Sequence, residues 1–174
     1  MDHAEINART AQAPTAGVLP DLDRFFHPRA VAVIGASTEP GSIGYRLLDA
    51  LRRGGFSGPV YPVNPKAKEI QGLPAYAAAR LLPDGVDLTV IAVPPPAVLE
   101  VVDECAARNI RLLVVITAGF AEVGGAGLLL QQQLLAKVRG HGMRLIGPNC
   151  LGLLANPPGG RLNVHMENWK DGAQ

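Results

Sequence analysis

Residues 30–44 read Ala-Val-Ala-Val-Ile-Gly-Ala-Ser-Thr-Glu-Pro-Gly-Ser-Ile-Gly, and they are the most informative part of the chain. An apolar run ends at Gly35, a loop of small residues follows, and Gly44 opens a segment with helical periodicity. This order is typical of a strand, a phosphate-sized turn and a helix N-terminus. The first N–H groups of a helix lack partners and lie at the positive end of its dipole, so they attract phosphate. Glycine in the turn lets a pyrophosphate approach the backbone. The stretch therefore predicts a nucleotide-binding turn.

The surrounding residues indicate which nucleotide this turn suits. The Gly-x-Gly-x-x-Gly fingerprint of dinucleotide sites is absent, because Ser37 stands where its second glycine would be. That fingerprint also expects an acidic residue about 20 positions further on, where it binds the ribose hydroxyls. Here no acidic residue lies between Asp49 and Glu69, and the nearest charge is that of Lys66. A cation suits a phosphorylated ribose, as in coenzyme A or NADP. The alternative is that Lys66 is a solvated loop lysine.

Composition limits the class of protein. The chain has 174 residues, 48% of them hydrophobic, which is enough for one domain with a buried parallel sheet. A net charge of +1 gives no electrostatic reason to expect nucleic acid or a membrane as a partner. Cys105 and Cys150 lie too far apart for a metal motif or a disulfide framework, and Cys105 is expected to be buried. The N-terminus lacks the features of a signal peptide, so a cytoplasmic location is expected.

Strand-like and helix-like segments alternate along the chain after a tail-like stretch, residues 1–20. Such alternation predicts parallel strands joined by right-handed crossovers. The predicted fold is α/β, a Rossmann-like doubly wound sheet with strand order 3-2-1-4-5. It is a single domain of residues 21–164, followed by a C-terminal tail of residues 165–174. The predicted strands are 30–34, 59–63, 86–93, 110–117 and 143–146. The predicted helices are 44–53, 97–108 and 127–139. Residues 151–155 and 162–164 are predicted to form a short edge element.

Small or rigid residues follow all five predicted strands. Ligands of doubly wound sheets bind at the carboxyl ends of the strands, near the switch in strand order. These loops are therefore predicted to form one site. They are Gly35-Ala36-Ser37, Val63-Asn64-Pro65-Lys66, Val93-Pro94-Pro95-Pro96, Thr117-Ala118-Gly119-Phe120 and Gly147-Pro148-Asn149-Cys150.

In combination, five stretches of the chain resemble the CoA-binding domain of NDP-forming acyl-CoA synthetases, the superfamily of the succinyl-CoA synthetase α subunit. The resemblance covers roughly residues 24–164. The combination is specific, whereas any one stretch alone would be a weak signal. The stretches are 26–37 (Phe-His-Pro-Arg-Ala-Val-Ala-Val-Ile-Gly-Ala-Ser), 58–65 (Gly-Pro-Val-Tyr-Pro-Val-Asn-Pro), 86–88 with 91–94, 118–122 (Ala-Gly-Phe-Ala-Glu) and 145–152 (Leu-Ile-Gly-Pro-Asn-Cys-Leu-Gly).

The resemblance implies a role in binding coenzyme A for each loop. It implies CoA phosphates at the turn, the adenosine 3′-phosphate beside the loop after the second strand, and the adenine beside the prolines after the third. It also points the amide of Asn149 towards the pantetheine thiol. Pro95 and Pro96 depart from the family, which usually has alanine and a variable residue there, so a tighter adenine pocket is expected. The implied binding residues are Gly35, Ala36, Ser37, Ser42, Ile43, Gly44, Val63, Asn64, Pro65, Lys66, Val93, Pro94, Pro95 and Asn149.

Three functions remain open. The chain is a CoA-binding domain or subunit of a synthetase that makes acyl-CoA from an acid, CoA and ATP or GTP, or it is a stand-alone CoA-binding or nucleotide-binding sensor. The third candidate, an NAD(P)-dependent oxidoreductase fragment, is disfavoured by the missing ribose-binding acid. In the family a further domain carries a phosphorylated histidine and an ATP-grasp domain binds the nucleotide, so such ligase and ATP-grasp domains or subunits are the implied partners. No catalytic or metal-binding residue is predicted here, since none of the four histidines has an acidic residue spaced to orient it.

Overall fold

The computed structural model describes residues 21–156 and 161–165, and the three α-helices lie between strands of the central sheet. The strands β1 to β9 are, in order, Val31–Ile34, Val60–Val63, Glu69–Ile70, Leu73–Pro74, Leu88–Ile91, Leu112–Val115, Arg144–Ile146, Leu154–Ala155 and Leu162–Asn163. The helices α1 to α3 are Ile43–Arg53, Pro95–Ala107 and Gly125–Gly140, and short 3-10 helices cover Leu22–Phe25, Ala79–Leu81 and Ala121–Val123. The predicted N-terminal tail, and the predicted C-terminal tail beyond its first residue, lie outside the described residues.

Five parallel strands form the central sheet in the order β2-β1-β5-β6-β7. Every residue of β1, β5 and β6 is buried, as their continuous apolar runs predict for strands covered on both faces. The leucines of α1 pack on one face, and apolar residues of α2 and α3 pack on the other. The predicted α/β class and doubly wound sheet are confirmed.

The predicted strand order 3-2-1-4-5 is wrong. Numbered along the chain, the five strands of the sheet lie in the order 2-1-3-4-5, because β5 pairs with β1 instead of lying outside β2. The segment around Tyr76 lies along the outer edge of β2. The Tyr76 N–H donates to the Pro62 carbonyl at 2.9 Å, and the Asn64 N–H donates to the Tyr76 carbonyl at 2.9 Å. Pro62 has no N–H to give to a ladder, which is typical of an edge strand. The switch in strand order therefore lies between β1 and β5.

Helix α2 and the hairpin of β8 and β9 also differ from the sequence-based prediction. Helix α2 begins at Pro95 instead of residue 97, because proline is tolerated in the first helical turn, where an N–H has no intrahelical partner. Strands β8 and β9 pair with each other as an antiparallel hairpin and do not extend the edge of the main sheet. In the described ranges, no helix has both the length and the apolar character needed to cross a membrane.

Candidate functional site

The loops that follow the five parallel strands are joined side by side by hydrogen bonds. From the β2 edge to the β7 edge, their order is 64–67, 35–42, 92–95, 116–119 and 147–150. The sequence-based prediction that these loops come together is therefore confirmed for the described residues. The contacts are Gly35 N–H to Val63 O at 3.0 Å, Ala92 N–H to Ile34 O at 2.8 Å, Ile116 N–H to Ile91 O at 3.0 Å, the Thr117 hydroxyl to Val93 O at 2.7 Å, and Asn149 N–H to Thr117 O at 3.0 Å.

Two glycines shape the turn after β1. Gly35 has φ +88°, and a Cβ at this position would lie 2.4 Å from the Ala92 carbonyl oxygen. A Cβ at Gly44, in the first turn of α1, would lie 1.8 Å from the Gly35 carbonyl oxygen. Sequence reasoning assigned the glycine to the approach of a ligand. The structure shows that both glycines are also required by backbone-to-backbone packing within the protein.

The serine hydroxyls of this turn hold the turn itself. The Ser42 hydroxyl caps α1 by accepting from the Tyr45 N–H at 3.2 Å, and it donates to the Glu39 carbonyl at 2.8 Å. The Ser37 hydroxyl accepts from the Glu39 N–H at 3.0 Å. The N–H groups of Ile43 and Gly44 have no intrahelical acceptor, because they belong to the first turn of α1. The backbone therefore provides the donors that remain for an anion here.

Asn64 joins the loop after β2 to the turn after β1. Its amide donates to the Ala36 carbonyl at 2.8 Å, and its side-chain oxygen accepts from the Lys66 N–H at 2.8 Å and the Ala67 N–H at 3.0 Å. These bonds hold the exposed Lys66 on a loop fixed beside the turn. The side chains of Ala36 and Val63 are buried in the core, so these two residues offer a ligand only their backbone.

The loops after β5 and β6 are packed against each other. Pro94 is exposed and Pro95 is half-buried. A Cβ at Gly119, which has φ +105°, would lie 2.7 Å from Cγ of Pro95. The glycine therefore lets the loop after β6 cover the Pro95 ring, and Pro94 is left as the exposed apolar surface.

Glu122 is a residue of this region that the sequence analysis assigned no role. Its carboxylate accepts from the Gly119 N–H at 2.5 Å and from the Phe120 N–H at 3.2 Å. The hydrogen bond from Gly119 lowers the pKa of Glu122. In the sequence, only the Gly-x-x-Glu spacing of residues 119–122 could have indicated this contact. The Glu122 carboxylate accepts hydrogen bonds from N–H groups of its own loop.

At the β7 edge, Asn149 is exposed and has φ +54°, while its backbone is tied to Thr117. The Cys150 thiol lies beneath it and donates to the Val115 carbonyl at 3.4 Å. Burial raises the pKa of Cys150. The fixed backbone presents the Asn149 side chain at the surface of the site.

The prediction that no histidine has an acidic partner is wrong. Nδ1 of His27 lies 3.0 Å from Oδ1 of Asp23, and Nε2 of His141 lies 2.9 Å from Oδ1 of Asp103. Hydrogen bonds from Lys137 and His141 lower the pKa of Asp103. His27 precedes β1 and His141 precedes β7, so both lie towards the amino ends of the strands, away from the five loops. Among the described residues, no group of three or more His, Cys, Asp or Glu could hold a metal ion.

Comparison with known protein families matches residues 29–156 to the family described as CoA binding domain. The chain belongs to this family. The predicted resemblance to the CoA-binding domain of acyl-CoA synthetases is confirmed, as is coenzyme A as the ligand of the domain.

The relatives are much longer than this chain. The ADP-forming acetate–CoA ligase I of Archaeoglobus fulgidus is 44% identical over 133 residues, which are 76% of this chain and 19% of that protein. The ADP-forming acetate–CoA ligase II subunit alpha of Pyrococcus furiosus is 42% identical over 133 residues, which are 76% of this chain and 29% of that protein. A solved structure of acetyl-coenzyme A synthetase 1 from Candidatus Korarchaeum cryptofilum, with phosphate and ADP, matches with a TM-score of 0.73 and 45% identity, covering 76% of this chain and 28% of that one. The chain therefore spans less than a third of the length of these proteins.

Proposed function

We propose that this chain is the CoA-binding part of an NDP-forming acyl-CoA synthetase, with CoA lying across the carboxyl ends of the strands at the switch between β1 and β5. The observation that carries the proposal is the joining of the five loops at this edge, with free backbone donors at the turn and a cation on the neighbouring loop. The proposed contact residues are Gly35, Ala36, Ser37, Ser42, Ile43, Gly44, Val63, Asn64, Pro65, Lys66, Val93, Pro94, Pro95 and Asn149.

Three parts of CoA have chemically matched partners in this arrangement. The pyrophosphate is anionic, and it suits the N–H groups of Ile43 and Gly44 at the positive end of the α1 dipole. The 3′-phosphate suits the ammonium group of Lys66, a residue whose backbone N–H is bonded to Asn64 beside the turn. The exposed Pro94 ring offers an apolar surface to the adenine.

The remaining steps of the proposed reaction need groups from elsewhere. Activation of an acid at the expense of a nucleoside triphosphate requires a nucleotide site and a phosphate carrier, and the loops described above supply a CoA site. We therefore propose ligase and ATP-grasp domains or subunits as partners, in a cytoplasmic enzyme. The naming of the Pyrococcus furiosus relative as an α subunit supports a division of the reaction between chains.

Calorimetric titration with CoA, 3′-dephospho-CoA, NAD and NADP tests the proposal. A charge-assisted contact to phosphate contributes about 1.5–3 kcal/mol, so Lys66→Ala is expected to weaken CoA binding roughly 10-fold to 150-fold. It is expected to leave 3′-dephospho-CoA binding almost unchanged. Lys68→Ala is the matched control, because it removes the same charge two residues further along the same exposed loop.

Two outcomes would contradict the proposal. Tighter binding of NAD than of CoA in the same buffer would reject CoA as the ligand. Equal losses for CoA and 3′-dephospho-CoA on Lys66→Ala would show that Lys66 does not contact the 3′-phosphate.

A further inference from the structure

A cleft of about 490 Å³ lies where α1 meets the hairpin of β3 and β4. Four of its lining residues belong to α1, and the fifth, Gln71, lies in the turn between the two strands. None of the five loops of the candidate functional site lines it. Its volume is in the range of small-molecule sites. The lining residues are Tyr45, Asp49, Arg52, Arg53 and Gln71.

The α1 residues of the cleft place three kinds of chemical group in a row. Tyr45, Asp49 and Arg53 follow one another at intervals of four residues, so they lie on one side of the helix. At 1.5 Å per residue, Asp49 is about 6 Å along the helix axis from Tyr45, and Arg53 is about 6 Å further on. An aromatic ring, a carboxylate and a pair of guanidinium groups therefore succeed one another along the cleft.

Both arginines of the cleft keep N–H donors for a ligand. Nε of Arg53 donates to Oδ1 of Asp49 at 2.8 Å, and Nη1 of Arg52 donates to the Gln71 carbonyl at 2.5 Å. Each bond uses only one of the several N–H groups of a guanidinium. The Arg53 side chain is 81% exposed and reaches back to Asp49. The remaining N–H groups suit the oxygens of a phosphate, with which arginine forms paired hydrogen bonds.

Gln71 is fixed at the Tyr45 end of the cleft. Its side-chain N–H donates to the Tyr45 carbonyl at 2.9 Å, and its backbone has φ +51°, in the left-handed region. Within the described part of the chain, Oε1 of this side chain is buried and has no hydrogen-bond partner. An unpaired buried acceptor is costly. An N–H group of a ligand beside Tyr45 would give this oxygen a partner, with a turn of the amide towards the cleft.

We infer that this cleft binds a nucleoside monophosphate whose base carries an amino group. The base lies against the Tyr45 ring and donates its amino N–H to Gln71. The ribose hydroxyls donate to the carboxylate of Asp49, which is the type of group that holds a ribose in dinucleotide sites. The phosphate accepts from Arg52 and Arg53. Base, ribose and phosphate thus follow one another in the order of their partners along α1.

Titration of the isotope-labelled full chain with AMP, followed by nitrogen–proton NMR, tests the inference. The Nε–H signals of Arg52 and Arg53 and the side-chain amide signals of Gln71 are expected to shift and to saturate. Arg53→Gln is expected to weaken AMP binding about 10-fold or more, since it removes a charge-assisted contact and leaves the bond between Arg52 and Gln71 in place. Arg46→Gln is the matched control, because this exposed arginine of α1 does not line the cleft, and it is expected to bind AMP as wild type does.

A series of AMP analogues tests the contacts of the phosphate and the ribose separately. Adenosine lacks the phosphate, so it is expected to bind more weakly than AMP and to be insensitive to Arg53→Gln. The 2′,3′-dideoxy form of AMP lacks the ribose hydroxyls, so it is expected to bind more weakly than AMP to the wild type. Asp49→Asn is expected to remove that preference. A preference of unchanged size in Asp49→Asn would overturn the contact of Asp49 with the ribose.

Lys66→Ala separates this cleft from the proposed CoA site, because AMP is also a part of CoA. This variant is expected to leave the AMP-induced shifts of Arg52 and Arg53 unchanged. Shifts confined to the turn after β1, or no saturable shift at Gln71 and the two arginines, would overturn the inference and leave the proposed CoA site unaffected. Inorganic phosphate that binds as tightly as AMP would overturn the assignment to a nucleotide.

Discussion

Replacing Gly35 with alanine tests whether this glycine serves the fold as well as the ligand. The new Cβ would lie 2.4 Å from the carbonyl oxygen and 2.8 Å from the carbonyl carbon of Ala92, both backbone atoms at the end of a fully buried strand. The residue would also have to keep φ +88° or force the turn to change. The left-handed conformation costs a non-glycine residue about 1–2 kcal/mol, and overpacking of a close-packed core costs about 1–3 kcal/mol. We expect Gly35→Ala to lower the free energy of unfolding by about 2–5 kcal/mol.

Gly41→Ala is the matched control in the same loop. A Cβ there would meet nothing within 4 Å, and its φ lies outside the left-handed region. Its free energy of unfolding is expected to stay the same or to rise by about 0.4–1 kcal/mol, since alanine restricts the unfolded chain. Urea unfolding measures both variants, and calorimetry with CoA follows on the folded fraction. A Gly35→Ala protein that is as stable as wild type but fails to bind CoA would refute the packing argument and would leave ligand approach as the reason for the glycine.

Three further predictions concern an ion pair, a hydrogen bond between two loops, and a buried thiol. Arg29 holds the pKa of Asp87 below its usual value, so this ion pair stabilises the fold above about pH 4. The stabilisation is lost as the pH falls through the lowered pKa. In urea titrations between pH 2 and 7, the free energy of unfolding should therefore fall less on acidification for Asp87→Asn than for the wild type. Asn64→Ala removes the bond between two loops and should lower the free energy of unfolding by about 1–2 kcal/mol and weaken CoA binding, whereas an unchanged affinity would show that the ligand does not use this loop. Burial raises the pKa of Cys105 to about 12, so a thiol reagent at pH 8 should label Cys150 in the native protein and reach Cys105 only on unfolding.

The sequence by itself determined the class of fold and the region of the site. Continuous apolar runs such as 112–115 suit a strand that is covered on both faces, and these runs alternate with helical segments, so a doubly wound parallel sheet follows from local pattern alone. Loop residues after each strand then had to meet at one edge of that sheet, because parallel strands share the direction of their carboxyl ends. The stretch 30–44 already contained the strand, turn and helix start that build the centre of this edge.

The tertiary structure decided the strand order and the use of individual side chains. The strand order depends on where the connection after β2 packs. Tyr76 in this connection is hydrogen-bonded to the outer edge of β2, and β5 pairs with β1 on its other side. Pro62 was the local sign of that edge, but an edge exists only once the neighbouring strands are placed. The same is true of the pair between His141 and Asp103, which are 38 positions apart and become neighbours only when α3 packs on α2. Hydrophobic periodicity is a property of each segment, whereas pairing between segments depends on the packing of the whole chain.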